Sequence, residues 1–222
     1  MTARLDASLI PPSPDFSFES SLWKNDCQYV AGVDEAGRGA LAGPVVAAVV
    51  VFRAHIPLKE LDGVRDSKEM TPSKRDQWAE KLRELALAWG VGLATSQEID
   101  DLGIIPSTRT AAQRAIERLH ITPVHILLDY LFLPDSPIPQ TSLIKGDARS
   151  MSIAAASVIA KTTRDALLED LDVEYPGYGF GKHKGYGTAA HRAAIVKLGP
   201  SPIHRLSYKP LLELPNHTGD SN

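Results

Sequence analysis

Acidic residues stand where apolar runs end, and that placement constrains this chain more than any other feature of it. Tyr29 to Asp34 is short and apolar and closes on Asp34 and Glu35. Val124 to Leu128 is apolar apart from His125 and stops at Asp129, and the weaker strand candidate Ser142 to Ile144 leads through Lys145 and Gly146 to Asp147. Three strand ends can converge at one edge of a sheet, whereas acids on a polar helix face cannot. Carboxylates gathered in this way repel, and each raises its neighbours' pKa unless cations neutralise them. The single cysteine, Cys27, excludes a cysteine metal cluster, and hard oxygen donors select Mg²⁺ or Mn²⁺. Two such ions roughly 3.5 to 4 Å apart can activate a water and stabilise the leaving oxygen of a phosphodiester. A metal-dependent nuclease or phosphotransferase is therefore expected.

The rest of the chain supplies a frame for such an edge. Gly37, Gly39 and Gly43 separate the first strand from the Val-rich run Pro44 to Phe52, which predicts an antiparallel hairpin. Thr71-Pro72 reads as an N-cap with proline in the first turn, opening a helix of about four turns along Trp78, Leu82, Leu85 and Trp89. A third strand is expected from near Leu87 to Thr95, and a second amphipathic helix from Ser107 through Ala111, Ala115, Ile116 and Leu119. Leu133 to Pro139 is a proline-rich loop. Ile153 to Ala160 is almost all small or apolar, so a helix running to about Leu171 can lie very close to a sheet. Strands first, then alternating helix and strand, predict an α/β three-layer domain with a mixed sheet.

With 43% hydrophobic and 23% charged residues the chain is an ordinary globular one, so disorder is excluded as its dominant state. Residues 25–212 are expected to form the domain. Residues 1–24, with Pro11, Pro12 and Pro14, and residues 213–222 read as flexible tails. No apolar run suits a signal peptide or a membrane span, which points to a soluble cytoplasmic protein in a reducing compartment, with no membrane partner.

The net charge of −3 argues weakly against a nucleic-acid partner, but the average hides the distribution. Between Tyr175 and Lys209 there is no acid, while Lys182, Lys184, Arg192, Lys197, Arg205 and Lys209 supply six cations beside three histidines and four tyrosines. Such a stretch suits a surface that follows phosphates and stacks on sugars or bases, or else a solvated basic face. Gly37 to Gly43 looks superficially like a dinucleotide loop, yet Pro44 and a β-branched run follow where a helix N-terminus is required. Asp66-Ser67-Lys68 could hold a phosphate or simply turn. Gly181 to Gly187 presents Tyr186 between glycines, with Lys182 and Lys184 alongside.

Taken in order, these segments closely resemble ribonuclease HII, the type 2 ribonuclease H. The resemblance runs from Val33-Asp34-Glu35-Ala36-Gly37-Arg38-Gly39 and Leu41-Ala42-Gly43-Pro44-Val45-Val46-Ala47 through Asp66-Ser67-Lys68, Leu128-Asp129 and Lys145-Gly146-Asp147. It continues through Ser152-Ile153-Ala154-Ala155-Ala156-Ser157, Ala160-Lys161, His183-Lys184-Gly185-Tyr186-Gly187-Thr188 and His204-Arg205-Leu206-Ser207. It implies a ribonuclease H-like mixed five-stranded sheet with flanking helices and a helical C-terminal extension. Asp34, Glu35, Asp129 and Asp147 would be the catalytic and metal-binding carboxylates, holding two Mg²⁺ or Mn²⁺ ions.

The family hydrolyses the RNA strand of RNA–DNA hybrids and cuts 5′ of ribonucleotides embedded in duplex DNA, leaving a 3′-hydroxyl and a 5′-phosphate. Carried over, Gly37, Arg38 and Gly39 would read the ribose 2′-hydroxyl, and Tyr186 would pack on the following deoxyribose. Ser67, Lys68, Lys182 and Lys184 are the candidates for backbone contacts. Two departures stand out: Gly103-Ile104-Ile105-Pro106-Ser107 lacks an expected asparagine, and Tyr208 stands where phenylalanine is usual. The 28 residues before Tyr29 are too few for the extra N-terminal domain of ribonuclease HIII, and a monomer is expected. A catalytically silent nucleic-acid binder of the same fold is the alternative. Retention of all four acids argues against it.

Overall fold

The computed structural model describes residues 10–213. Five strands, β1 (Val30–Ala36), β2 (Val45–Val51), β3 (Ala88–Ala94), β4 (His125–Asp129) and β5 (Gln140–Leu143), form one sheet in the order β3-β2-β1-β4-β5. β1 and β2 form the expected antiparallel pair, β3 joins β2 antiparallel, and β4 and β5 run parallel to β1. This is the mixed five-stranded sheet that the resemblance implies. All seven residues of β2 are buried. A strand covered on both faces has no need to alternate, which is why it reads as an unbroken Val/Ala run.

The covering helices differ in how closely they approach. α5 (Met151–Glu174) lies over β1 and β2 on one face, and α4 (Ile104–Glu117) lies over β2 and β3 on the other. A Cβ at Gly32 of β1 would stand 2.2 Å from the Ser152 carbonyl carbon, and one at Gly92 of β3 would stand 2.2 Å from the Ala111 carbonyl oxygen. Both helices therefore seat their backbones directly on the sheet. Ala154, Ala155 and Ala156 are fully buried beneath this contact, as the small-residue run predicts. α2 (Pro72–Leu85) packs outside α5, and its Thr71 cap accepts from the Lys74 N–H. α2 stops at Leu85, so Trp89 falls on β3 and not on the helix face to which its spacing assigned it.

The N-terminal boundary requires a correction. Within the stretch 1–24 read as a tail, α1 (Ser17–Trp23) is folded, and Phe16 and Trp23 are buried against Phe52 in the main core. The Glu19 side chain is fully buried, accepting from the Ser150 hydroxyl at 2.6 Å and from the Ser152 N–H at 2.9 Å. A carboxylate from one end of the chain thus caps the first turn of α5, where exposed amides and the helix dipole favour an anion. The Pro/Ser-rich composition hid this anchor because its partner lies more than 130 positions away. The expected C-terminal tail falls, except for Glu213, outside the described residues.

α3 (Ser96–Leu102) was not foreseen. Its capping box, in which Thr95 and Glu98 serve each other's backbone amides, was present in the sequence. The C-terminal part contains α6 (Phe180–His183), docked on α5, and α7 (Ala189–Leu198), whose Ile195 packs on Leu41 after β1, where an isolated bridge also joins Ala42 to His204. No described helix is long and apolar enough to cross a membrane.

Candidate active site

Parallel pairing places two acids side by side. Val33 is in register with Leu128 at the end of the β1–β4 ladder, so Asp34 and Asp129 follow next to each other. Asp129 ends β4, whereas Asp34 and Glu35 do not end β1, which continues to Ala36 paired with β2. β5 delivers the chain to a short 3₁₀ turn, Gly146–Ala148, that carries Asp147. The Gly146 N–H donates to Asp129 Oδ1 at 2.7 Å, tying this turn to the β4 end. Carboxylate oxygens of Asp34, Asp129 and Asp147 consequently lie within 4.8 Å of one another. Glu35 adjoins this trio without completing it. Its Oε1 accepts from Arg38 at 3.1 Å, while its Oε2 is buried and has no hydrogen-bond partner.

Electrostatics matches the crowding. Burial, then Glu35 and Asp129, push the Asp34 carboxyl well above the usual range, against a hydrogen bond from Ser157. Burial and Asp147 raise Asp129 to about 6, and burial and Asp66 raise Asp147. Glu35 is raised by burial although Arg38 and Lys68 oppose it. Lys68 Nζ is 3.3 Å from Asp147 Oδ2, and partial desolvation is outweighed by Asp66, Asp147 and Asp34, which raise its pKa. Mutually raised carboxylates and an unpartnered buried carboxylate oxygen are what a hard divalent cation relieves, and the all-oxygen donor set suits Mg²⁺ or Mn²⁺. The residues fit the ions the sequence implies.

The other sequence candidates divide. Gly37 has φ of +96°, and a Cβ there would lie 2.0 Å from Arg164 Nε, so only glycine fits. Gly39 is exposed with open space around it, and Arg38 reaches back to Glu35. Tyr186 is 37% exposed and its ring lies over the cations of Arg164 and Lys161, with the ring centroid 5.6 Å and 5.7 Å away respectively. Ser67 is corrected as a phosphate ligand. Its hydroxyl is buried against Ser157 Oγ at 2.9 Å, and Ser157 in turn supports Asp34. Lys184 is likewise turned away, its ammonium paired with Glu169, whereas Lys182 is exposed.

The acid-free stretch is less of a surface than its composition suggests. Arg205 is fully buried, and so are Phe180, His191 and His204, while Tyr178, His183 and Tyr208 are half-buried. His183 stacks on His191 with centroids 4.2 Å apart, and Phe180 meets His191 and His204. His204 Nδ1 accepts from the Ser201 N–H, so its Nε2 carries the proton toward His191 Nε2 at 3.0 Å. Burial and neighbouring His191 push His204 down to about 4. Above the ordinary histidine value of 6.5 both folded and unfolded forms are neutral there. Below it only the unfolded form takes up the proton, so stability is lost as pH falls from 6.5 to about 4. Urea unfolding of wild type at pH 7 and 4.5 should show this loss, about 3 kcal/mol at most, and His204→Gln should flatten the slope.

Sequence reasoning passed over Arg164, and named Arg205, Ser157 and Tyr208 without the supporting roles they have here. Arg164 was visible as a cation following the small apolar run of α5. The Tyr208 hydroxyl, one of the two departures, donates to the Arg38 carbonyl at 2.8 Å, which a phenylalanine could not do.

Comparison with known proteins adds an independent line. A family model described as Ribonuclease HII matches residues 31–211. The chain is 51% identical over 201 residues to ribonuclease HII of Synechococcus sp., covering 90% of each chain. To that of Dehalococcoides mccartyi it is 48% identical over 198 residues, covering 89% of this chain and 94% of the relative. Among solved structures, ribonuclease H2 of Pyrococcus horikoshii superposes with a TM-score of 0.70 at 29% identity, covering 83% of this chain and 96% of that one.

Proposed function

This chain belongs to the ribonuclease HII family, a family of ribonucleases H, and from that premise we propose the finer reading. It is an endoribonuclease that hydrolyses the RNA strand of RNA–DNA hybrids and cuts duplex DNA 5′ of an embedded ribonucleotide, leaving a 3′-hydroxyl and a 5′-phosphate. The observation that carries this reading is the convergence of Asp34, Asp129 and Asp147 oxygens within 4.8 Å at one sheet edge. These three and Glu35 would hold two Mg²⁺ or Mn²⁺ ions, which when bound supply an activated water and charge stabilisation at the leaving oxygen.

The chain's own part is position. Carboxylates on two adjacent strands and one short turn need no side-chain nucleophile, only fixed geometry. Gly37 to Gly39 brings main chain close to a ribose, and the Arg38 carbonyl is held from behind by Arg205 at 2.9 Å and by Tyr208. That rigidity suits discrimination of the 2′-hydroxyl. Tyr186 presents an exposed ring edge for the following deoxyribose, and Lys68 and Lys182 offer charge to phosphates.

A duplex carrying one ribonucleotide, incubated with Mg²⁺ or Mn²⁺, should be nicked 5′ to that nucleotide, and EDTA should abolish the nick. Duplex left intact with both metals would overturn the reading. Tyr186→Ala should lower cleavage at the single ribonucleotide about tenfold, the scale of one lost stacking contact. Cleavage inside a long hybrid should fall less, and equal losses would remove the junction role.

A further inference from the structure

Tyr130, the residue after Asp129, has φ of +47° and is 60% exposed. An aromatic residue in the left-handed region is strained where glycine or asparagine is not. The conformation is fixed, because the Tyr130 N–H donates to the Leu143 carbonyl of β5 at 2.9 Å. Lys145 is strained in the same sense, with φ of +54°, and sits just before the turn that bears Asp147. Tyr130, Ile144 and Lys145 line a depression of about 380 Å³ that also contains Asp129, Asp147 and Lys68. Bulky side chains kept in a costly backbone conformation beside a reactive centre point to use of those side chains.

Sheet order gives the direction. Gly37 follows β1 toward β2, and Arg164 links Tyr186 to the Ala42 and Pro44 carbonyls of the same connection. Tyr130 and Lys145 lie on the opposite side of the carboxylates, at the ends of β4 and β5. We propose that Tyr130 is a substrate-contact residue, an aromatic platform for the deoxynucleotides on the 5′ side of the cut, with Lys145 beside it for their phosphates. This rests on the function proposed above, in which Tyr186 holds the 3′ side. Asp66 and Glu69 also line the depression, so the contact is stacking on a sugar or base, with charge attraction confined to Lys145 and Lys68.

The test uses the full chain and fluorescent duplexes with one ribonucleotide. Tyr130→Asn keeps a residue that tolerates the left-handed backbone and removes the ring. Its melting temperature should equal or exceed that of wild type, while KM rises about fivefold or more with kcat within about twofold, and Tyr130→Phe should match wild type. The KM difference should vanish when the arm 5′ of the cut is shortened to two base pairs, and persist when the 3′ arm is shortened. Unchanged KM in both Tyr130→Asn and Tyr130→Gly overturns the proposal, as does a KM change that ignores the 5′ arm. Wild type that leaves the duplex uncut overturns the function itself, a distinct outcome.

Discussion

Asp34→Asn should abolish cleavage and at the same time make the metal-free protein harder to melt. The loss follows from position. Asp34 is the most buried of the converging carboxylates, at 3% exposure, and asparagine offers a neutral oxygen where a hard cation requires charge. Since metal-borne charge stabilisation is worth several kcal/mol, a fall of about three orders of magnitude or more is expected. The gain follows from repulsion. The Asp34 carboxyl is raised by burial and then by Glu35 and Asp129, so ionising it works against the fold. A raised carboxylate contributes stability that is full below the unfolded value of 3.8 and is lost as pH climbs through the folded value. In EDTA the variant should therefore match wild type near pH 3.5 and melt above it at pH 8. Asparagine can still accept from the Glu35 N–H, which now meets Asp34 Oδ1 at 2.7 Å, so the comparison isolates charge. Mg²⁺ or Mn²⁺ should raise the melting temperature of wild type and leave the variant nearly unmoved. A variant that melts lower than wild type in EDTA at pH 8 would show that the carboxylates are not in conflict.

That conflict was legible in the sequence because an acid that ends an apolar strand breaks a local pattern. The same holds for the hairpin, for the Thr71-Pro72 helix start and for the Ala154 to Ala156 contact, each set by neighbours in the chain. What escaped was set by partners far away. Glu19 has no mark of its role until Ser150 and Ser152 are brought to it. Arg205 was counted among surface cations because charge in a sequence carries no depth, and its partners are backbone carbonyls, which every residue has. His183, His191 and His204 have a composition that suits a nucleic-acid face, but each ring nitrogen among them has a partner within the protein. Glu35 sits between the two cases: its strand position was plain, yet its pairing with Arg38 and its place outside the Asp34, Asp129 and Asp147 trio were not.

Arg164→Lys, conservative by charge, should be among the most damaging substitutions outside the carboxylates. The Arg164 guanidinium donates to three main-chain carbonyls, those of Pro44 at 2.9 Å, Ala42 at 3.0 Å and Lys184 at 2.8 Å, and it is fully buried. Burial pushes its pKa down to about 10, which still leaves it charged at neutral pH. Arg205 repeats the device from the other side, donating through Nε and Nη2 to the Gly43 carbonyl and through Nη1 to that of Arg38. Two buried cations, hydrogen-bonded chiefly to main-chain carbonyls, thus clamp the connection that begins at Gly37 and the turn that carries Tyr186. A lysine ammonium is a compact point charge that cannot span the three carbonyls served by the planar fork. Two orphaned buried acceptors at about 1–3 kcal/mol each give an expected loss of roughly 2–6 kcal/mol in denaturant unfolding. Activity should fall further than stability explains. A shift of about 1 Å in a positioning element can cost on the order of a hundredfold, so kcat/KM at a single ribonucleotide should drop tenfold to a hundredfold, by that estimate, at a temperature where circular dichroism shows the variant folded. A variant that unfolds with wild type and cuts at its rate would mean that the carbonyls find water instead, and that the loop holds its shape without the clamp.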